Sequence, residues 1–89
     1  MRRIVIIGAG GFAREVAWLI RDLNRVDAQF ELLGFVVSDL SNLSDTDSRN
    51  QVLGDFNWLD ENHEVDGLAL GIGSPASKLK VTAELMCRI

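Results

Sequence analysis

Gly8, Gly10 and Gly11 stand directly after an apolar run, Ile4-Val5-Ile6-Ile7, and directly before Phe12-Ala13-Arg14-Glu15-Val16. That order is chemistry for holding an anion. Gly8 lets the chain turn sharply, and Gly10 leaves room for a ligand to approach the backbone. Ala13 stands where a dinucleotide fingerprint takes its third glycine or an alanine, so that helix and strand pack closely. The N–H groups of the first helical turn lack intrahelical acceptors, and they sit at the positive end of the helix dipole. A diphosphate suits such a cradle, and each charge-assisted hydrogen bond to it contributes about 1.5–3 kcal/mol. The structural alternative is that the glycines only permit a tight strand-to-helix turn.

Further positions fall where the same ligand would reach. Asp39 is the first acid after the second apolar run, where a carboxylate accepts hydrogen bonds from a ribose diol or a base edge. It lies beyond the interval of about 20 residues of the NAD fingerprint, which weighs against a standard NAD site. Its plain reading is a turn residue that opens a solvated loop. Gly73 and Ser74 offer backbone N–H groups at a second helix start, a place also explained by ordinary capping. Lys78, one turn into that helix, reaches a phosphate as a point charge or else is a solvated lysine.

Other chemistries lack their residues. His63 reads as a surface side chain and Cys87 as a small apolar packing residue. No Cys/His cluster has metal-ligand spacing. There is no Gly-x-Ser-x-Gly turn and no Gly-Lys-Ser/Thr after the glycines. Asp45 with Asp47, and Asp60 with Glu61, lie in polar stretches where nothing raises a carboxyl pKa. No catalytic set emerges. The chain is equipped to hold a nucleotide or nucleotide-sugar rather than to transform it.

The positioning elements follow from pattern. Ile4–Ile7 is continuous and β-branched, as in a strand buried on both faces. A helix is expected from about Gly11 to Leu23, with Phe12, Val16, Leu19, Ile20 and Leu23 on the buried face and Ala13 and Ala17 allowing close approach. Arg14, Trp18, Arg21 and Arg25 form another stripe, and Trp18 either meets a partner or lies on the domain's own flank. Phe30 to Val37 reads as a second strand despite Gly34, and 38–50 as a long polar loop. Val52-Leu53 suits a short edge strand. Asp55 caps a brief helix from Phe56 to Glu61, with Phe56 and Leu59 inward. Val65 to Ile72 reads as a third strand, and Pro75 fits the first position of a last helix.

The fold class is therefore α/β: a small Rossmann-like parallel sheet of three to four strands with helices on both faces. The glycines, Ser38-Asp39 and Gly73-Ser74 converge at its carboxyl edge, where ligands bind such sheets.

The whole chain bounds the rest. Its 89 residues make one small domain, 47% of them hydrophobic. The net charge of −4 and the lack of a basic, aromatic-interleaved stretch argue against a nucleic-acid surface. A single cysteine excludes a disulfide framework. With no signal sequence and no apolar run that spans a bilayer, no membrane role is expected and the cytoplasm is the expected compartment. The last helix stops at Cys87-Arg88-Ile89 with no glycine cap and no following strand. A domain cut from a longer protein, or a truncated product, is the expectation.

Four segments in order carry a resemblance. Ile6-Ile7-Gly8-Ala9-Gly10-Gly11-Phe12-Ala13-Arg14-Glu15-Val16, Leu33-Gly34-Phe35-Val36 with Asp39, Gln51-Val52-Leu53-Gly54-Asp55, and Leu70-Gly71-Ile72-Gly73-Ser74-Pro75 with Lys78 cover nearly the whole chain. Together they resemble the amino-terminal domain of the bacterial sialic acid O-acetyltransferase and UDP-4-amino-sugar N-acetyltransferase family. The resemblance implies a Rossmann-like domain that binds a nucleotide-sugar acceptor, a UDP-amino-sugar or CMP-sialic acid, through Gly8, Gly10, Gly11, Phe12, Asp39, Gly73, Ser74 and Lys78. It also implies a left-handed β-helix, absent from this chain, that binds acetyl-CoA, carries the catalytic histidine and builds a homotrimer. Members often have His-Gly where Phe12-Ala13 stands, two acids in place of Ser38-Asp39, and Arg in place of Lys78. Two other readings stay open: the amino-terminal part of an NAD(P)-dependent oxidoreductase, and a structural oligomerisation module using Trp18 and the last helix.

Overall fold

Strand β1 (Arg2–Ile7) carries the apolar run and sits inside a sheet of four parallel strands. The computed structural model describes residues 2–40, 51–61, 64–76, 79 and 82–83. After β1 come α1 (Gly11–Val26), β2 (Phe30–Val36), β3 (Val52–Gly54), α2 (Phe56–Glu61) and β4 (Gly67–Leu70). The strand order is β3-β2-β1-β4, with every neighbour parallel. The chain thus steps outward from β1 through β2 to β3, then returns to the other side of β1. Between β1 and β4 the order reverses, and that is where sheets of this kind bind ligands.

Both faces are covered. Ile6 and Phe35 lie with Ala13, Ala17 and Ile20 of α1, while Val5, Ile7 and Val36 lie with Phe56 of α2. A bulge shifts the phase of alternation along β2. Ile4 pairs with Leu32 but Val5 pairs with Gly34, so Leu33 is the extra residue. Gly34 has φ +152°, and a Cβ there would stand 2.6 Å from the Gln51 carbonyl oxygen. The glycine therefore lets β2 continue and returns Phe35 to the face beneath α1.

The α1 face differs from the expected one. Ala13, Ala17 and Ile20 are buried and Val16 is half-buried, but Phe12 is 44%, Leu19 62% and Leu23 57% exposed. The two alanines let the helix sit close to the sheet, which centres the contact on them and turns the larger side chains onto the flank. The helix also runs three residues further than Leu23. Asn24 explains its far end: its side-chain amide donates to the Phe30 carbonyl at 2.8 Å, and its carbonyl accepts from the N–H groups of Phe30 and Gln29. That clamp fixes the turn into β2.

The amino end of the sheet is closed by polar side chains as well. The Arg3 N–H donates to the Asp66 carboxylate at 2.7 Å, and the Arg3 guanidinium meets Asp66 and Glu64 at 3.4 Å. The backbone hydrogen bond first, and then the guanidinium, hold the Asp66 carboxyl below its ordinary value. Strand β4 is shorter than the 65–72 read from sequence, and β2 ends at Val36 rather than Val37. Helical backbone appears at 75 and 76, so Pro75 opens a helix as expected. Residues 41–50, His63, Lys78, Cys87 and most of the segment read from sequence as the last helix lie outside the described residues. Among the described residues, no helix is long and apolar enough to cross a membrane.

Candidate functional site

Parallel strands place the turns after β1, β2 and β4 at one edge, so Gly8–Gly11, Ser38-Asp39 and Gly73-Ser74 share it. Backbone hydrogen bonds lace the strand ends there. Gly8 N–H donates to the Val36 carbonyl and Gly71 N–H to the Ile7 carbonyl, each at 2.8 Å. Val37 N–H donates to the Gly54 carbonyl at 3.1 Å.

The glycines at this edge divide by what the fold asks of them. Gly8 has φ +115°, and a Cβ on it would stand 2.8 Å from the Gly71 carbonyl oxygen. A Cβ on Gly71 would stand 2.7 Å from an Ile6 methyl and 2.8 Å from Ala13 Cα. These two glycines allow β1, β4 and α1 to close on one another. Ala13 does supply the close packing expected of it, and Gly71 is its partner in doing so.

Gly10 and Gly11 are different. Gly10, the residue before α1, has φ −81° and ψ −163°, an extended conformation open to any residue. At Gly11 an added Cβ would meet only an Arg14 guanidinium nitrogen, at 3.8 Å. Neither the backbone dihedrals of Gly10 nor the space around Gly11 calls for glycine.

The N-cap residue of α1, Gly10, makes no side-chain cap bond, and the first turn holds no acid. The first intrahelical bond runs from the Arg14 N–H to the Gly10 carbonyl at 3.1 Å. The N–H groups of Gly11, Phe12 and Ala13 therefore precede the helical ladder. The Arg14 guanidinium, within reach of Gly11, adds positive charge to an already positive helix end. The sequence reading places Arg14 on a stripe with Trp18, Arg21 and Arg25, with no role at the glycine turn. The signal it missed is the glycine three positions earlier, which leaves room for a long side chain to fold back.

Phe12 stands on the β4 side of this turn. A Cβ on Gly73 would lie 3.8 Å from Phe12 Cβ and Cγ, in ordinary contact, so the turns after β1 and β4 meet there. Asp39 and Ser74 are exposed at the same edge. Lys78 lies outside the described residues. Separately, a cleft of about 160 Å³ runs beside α1 on its β2 side, lined by Arg14, Ala17, Trp18, Arg21, Phe35 and Gln51. Trp18 is 59% exposed. No group of three or more metal-binding side chains occurs among the described residues.

Comparison with known proteins agrees with this architecture. Residues 3–85 match the family model described as the PglD N-terminal domain. No curated protein and no solved structure matches the chain. A match over nearly the whole length, on a four-stranded parallel sheet with a glycine turn after its first strand, shows that this chain belongs to the PglD N-terminal domain family, the amino-terminal domain of PglD-like sugar acetyltransferases.

Proposed function

We propose that this domain binds the nucleotide-sugar acceptor of a sugar O- or N-acetyltransferase in surface-glycan biosynthesis, with the diphosphate on the amino end of α1. The observation that carries the reading is the N-cap residue Gly10, a glycine of ordinary φ that makes no side-chain cap bond. Chains that need only a strand-to-helix turn gain by placing Ser, Thr, Asp or Asn there. Here the position is kept bare, and Arg14 adds charge beside it.

In this reading the N–H groups near Gly10, Gly11 and Phe12 grip the diphosphate. Asp39 accepts from the ribose or base, and Gly73, Ser74 and Lys78 complete the β4 side. The domain works in the cytoplasm on a UDP-amino-sugar, whose diphosphate the cradle takes, or on CMP-sialic acid, whose single phosphate takes the same place. Transfer belongs to a left-handed β-helical domain that takes acetyl-CoA, carries the catalytic histidine and assembles as a trimer. The residues here serve acceptor binding and supply no catalytic group.

Calorimetry with UDP-sugars and CMP-sialic acid tests this on the wild type and on Gly10→Val. The valine fits the local backbone but fills the approach to the amides. Affinity is expected to fall at least about tenfold, the loss of one charge-assisted bond, with little change in melting temperature. Equal affinity in the two proteins contradicts the assignment.

A further inference from the structure

Phe12 exposes a large aromatic ring at the lip of the site, on the first turn of α1. Its neighbour across the lip is Gly73, which leaves the root of the ring uncovered. The fold does not ask for that glycine. Gly73 is not among the residues of positive φ, and a Cβ on it would meet Phe12 at an ordinary 3.8 Å. An exposed aromatic facing a side-chain-free position therefore coincides with the amides assigned to the diphosphate.

The topology gives the two sides of the diphosphate different characters. Asp39 follows β2, and a carboxylate after the second strand of such a sheet serves the ribose. The nucleoside then lies toward β2. The group on the far side of the diphosphate extends the other way, toward β4, where Phe12 and Gly73 stand. A pyranose has one face rich in C–H bonds and an equatorial rim rich in hydroxyls. Phe12 has neither donor nor acceptor, so it suits that C–H face and offers nothing to the rim.

We infer that Phe12 is the sugar platform of the site: its ring seats the C–H face of the hexose in a nucleotide-sugar, and Gly73 keeps the ring open. This inference rests on the nucleotide-sugar reading above and adds which residue distinguishes the sugar from the bare nucleotide.

The test compares UDP with UDP-N-acetylglucosamine by calorimetry on wild type, Phe12→Ala, Phe12→Trp and Gly73→Val. Wild type is expected to prefer the sugar conjugate. Phe12→Ala should weaken the conjugate about three- to tenfold, as for one aromatic contact, and weaken UDP less, because alanine keeps the backbone N–H. Phe12→Trp should retain the preference, and Gly73→Val should lose it by covering the ring. Phe12 is already exposed, so the alanine variant should melt near wild type. Equal losses for UDP and the conjugate, or no loss for either, overturn the platform while leaving the diphosphate site in place. A wild type that binds neither ligand overturns the site and the platform together.

Discussion

Helices α1 and α2 both begin at the carboxyl edge of this sheet, and they begin differently. At the start of α2 the Asp55 carboxylate accepts the Asn57 N–H at 3.0 Å, so the helix satisfies its own amino end. At the start of α1 Gly10 supplies no cap. Neither first turn contains an acid. The contrast is chemical rather than conformational, because Gly10 has a backbone that Ser or Asp adopts readily. A short helix with a structural duty is closed by its own side chain, whereas α1 leaves its donors for something else. The neighbouring glycines sharpen the point. Gly8 and Gly71 are required by contact and, for Gly8, by φ, whereas Gly11 and Gly73 have room for a Cβ and Gly10 has ordinary dihedrals.

The largest effect should come from the required glycines. Gly8→Ala forces an L side chain to φ +115° and against the Gly71 carbonyl, so chemical denaturation should show a loss of about 2–4 kcal/mol. A loss below about 1 kcal/mol would erase the division between required and spare glycines. Next is Gly10→Asp, which gives α1 the cap that α2 already has. Thermal denaturation should show a slight gain, about 0.5 kcal/mol. Diphosphate affinity should fall about tenfold or more, because the new carboxylate occupies the donors and repels the guest.

The reciprocal change, Asp55→Ala, should cost about 1 kcal/mol of stability and leave ligand affinity untouched. Weaker binding in that variant would mean that both helix starts belong to one site. The smallest effect lies at the far end of the sheet. Asp66 has a lowered pKa when folded, so its ion pair and hydrogen bonds contribute above the ordinary value of 3.8 and are lost as pH falls through the lower folded value. Asp66→Asn should therefore differ most from wild type in denaturation near neutral pH, and the difference should shrink in acid.

Local signals in the sequence read through to the structure. The strand–glycine–helix order, the Asp55 cap and the limits of α2 each depend on a few adjacent residues, and each stands where expected. What failed depends on distance or on competition. The expected face of α1 is Phe12, Val16, Leu19, Ile20 and Leu23; Ile20 is buried and Val16 packs against the core, but Phe12, Leu19 and Leu23 turn outward. The Ala13–Ala17–Ile20 stripe wins because small side chains bring the helix nearer the sheet. The place of Phe35 needs the bulge at Leu33, which no pattern of alternation reveals. The role of Gly71 depends on Ile6 and Ala13, which are remote in sequence. At the candidate site the glycines were legible, but the return of Arg14 toward Gly11 was not, since it is a rotamer rather than a pattern.

In the proposed site the first amides of α1 bind the diphosphate. Amide chemical-shift mapping of the 89-residue chain during titration with UDP tests it most directly. Saturable shifts are expected, largest at Gly11, Phe12 and Ala13, with Asn57 at the capped start of α2 unmoved. Shifts centred on the Trp18 cleft, or an unchanged spectrum at saturating UDP, would contradict the proposed site.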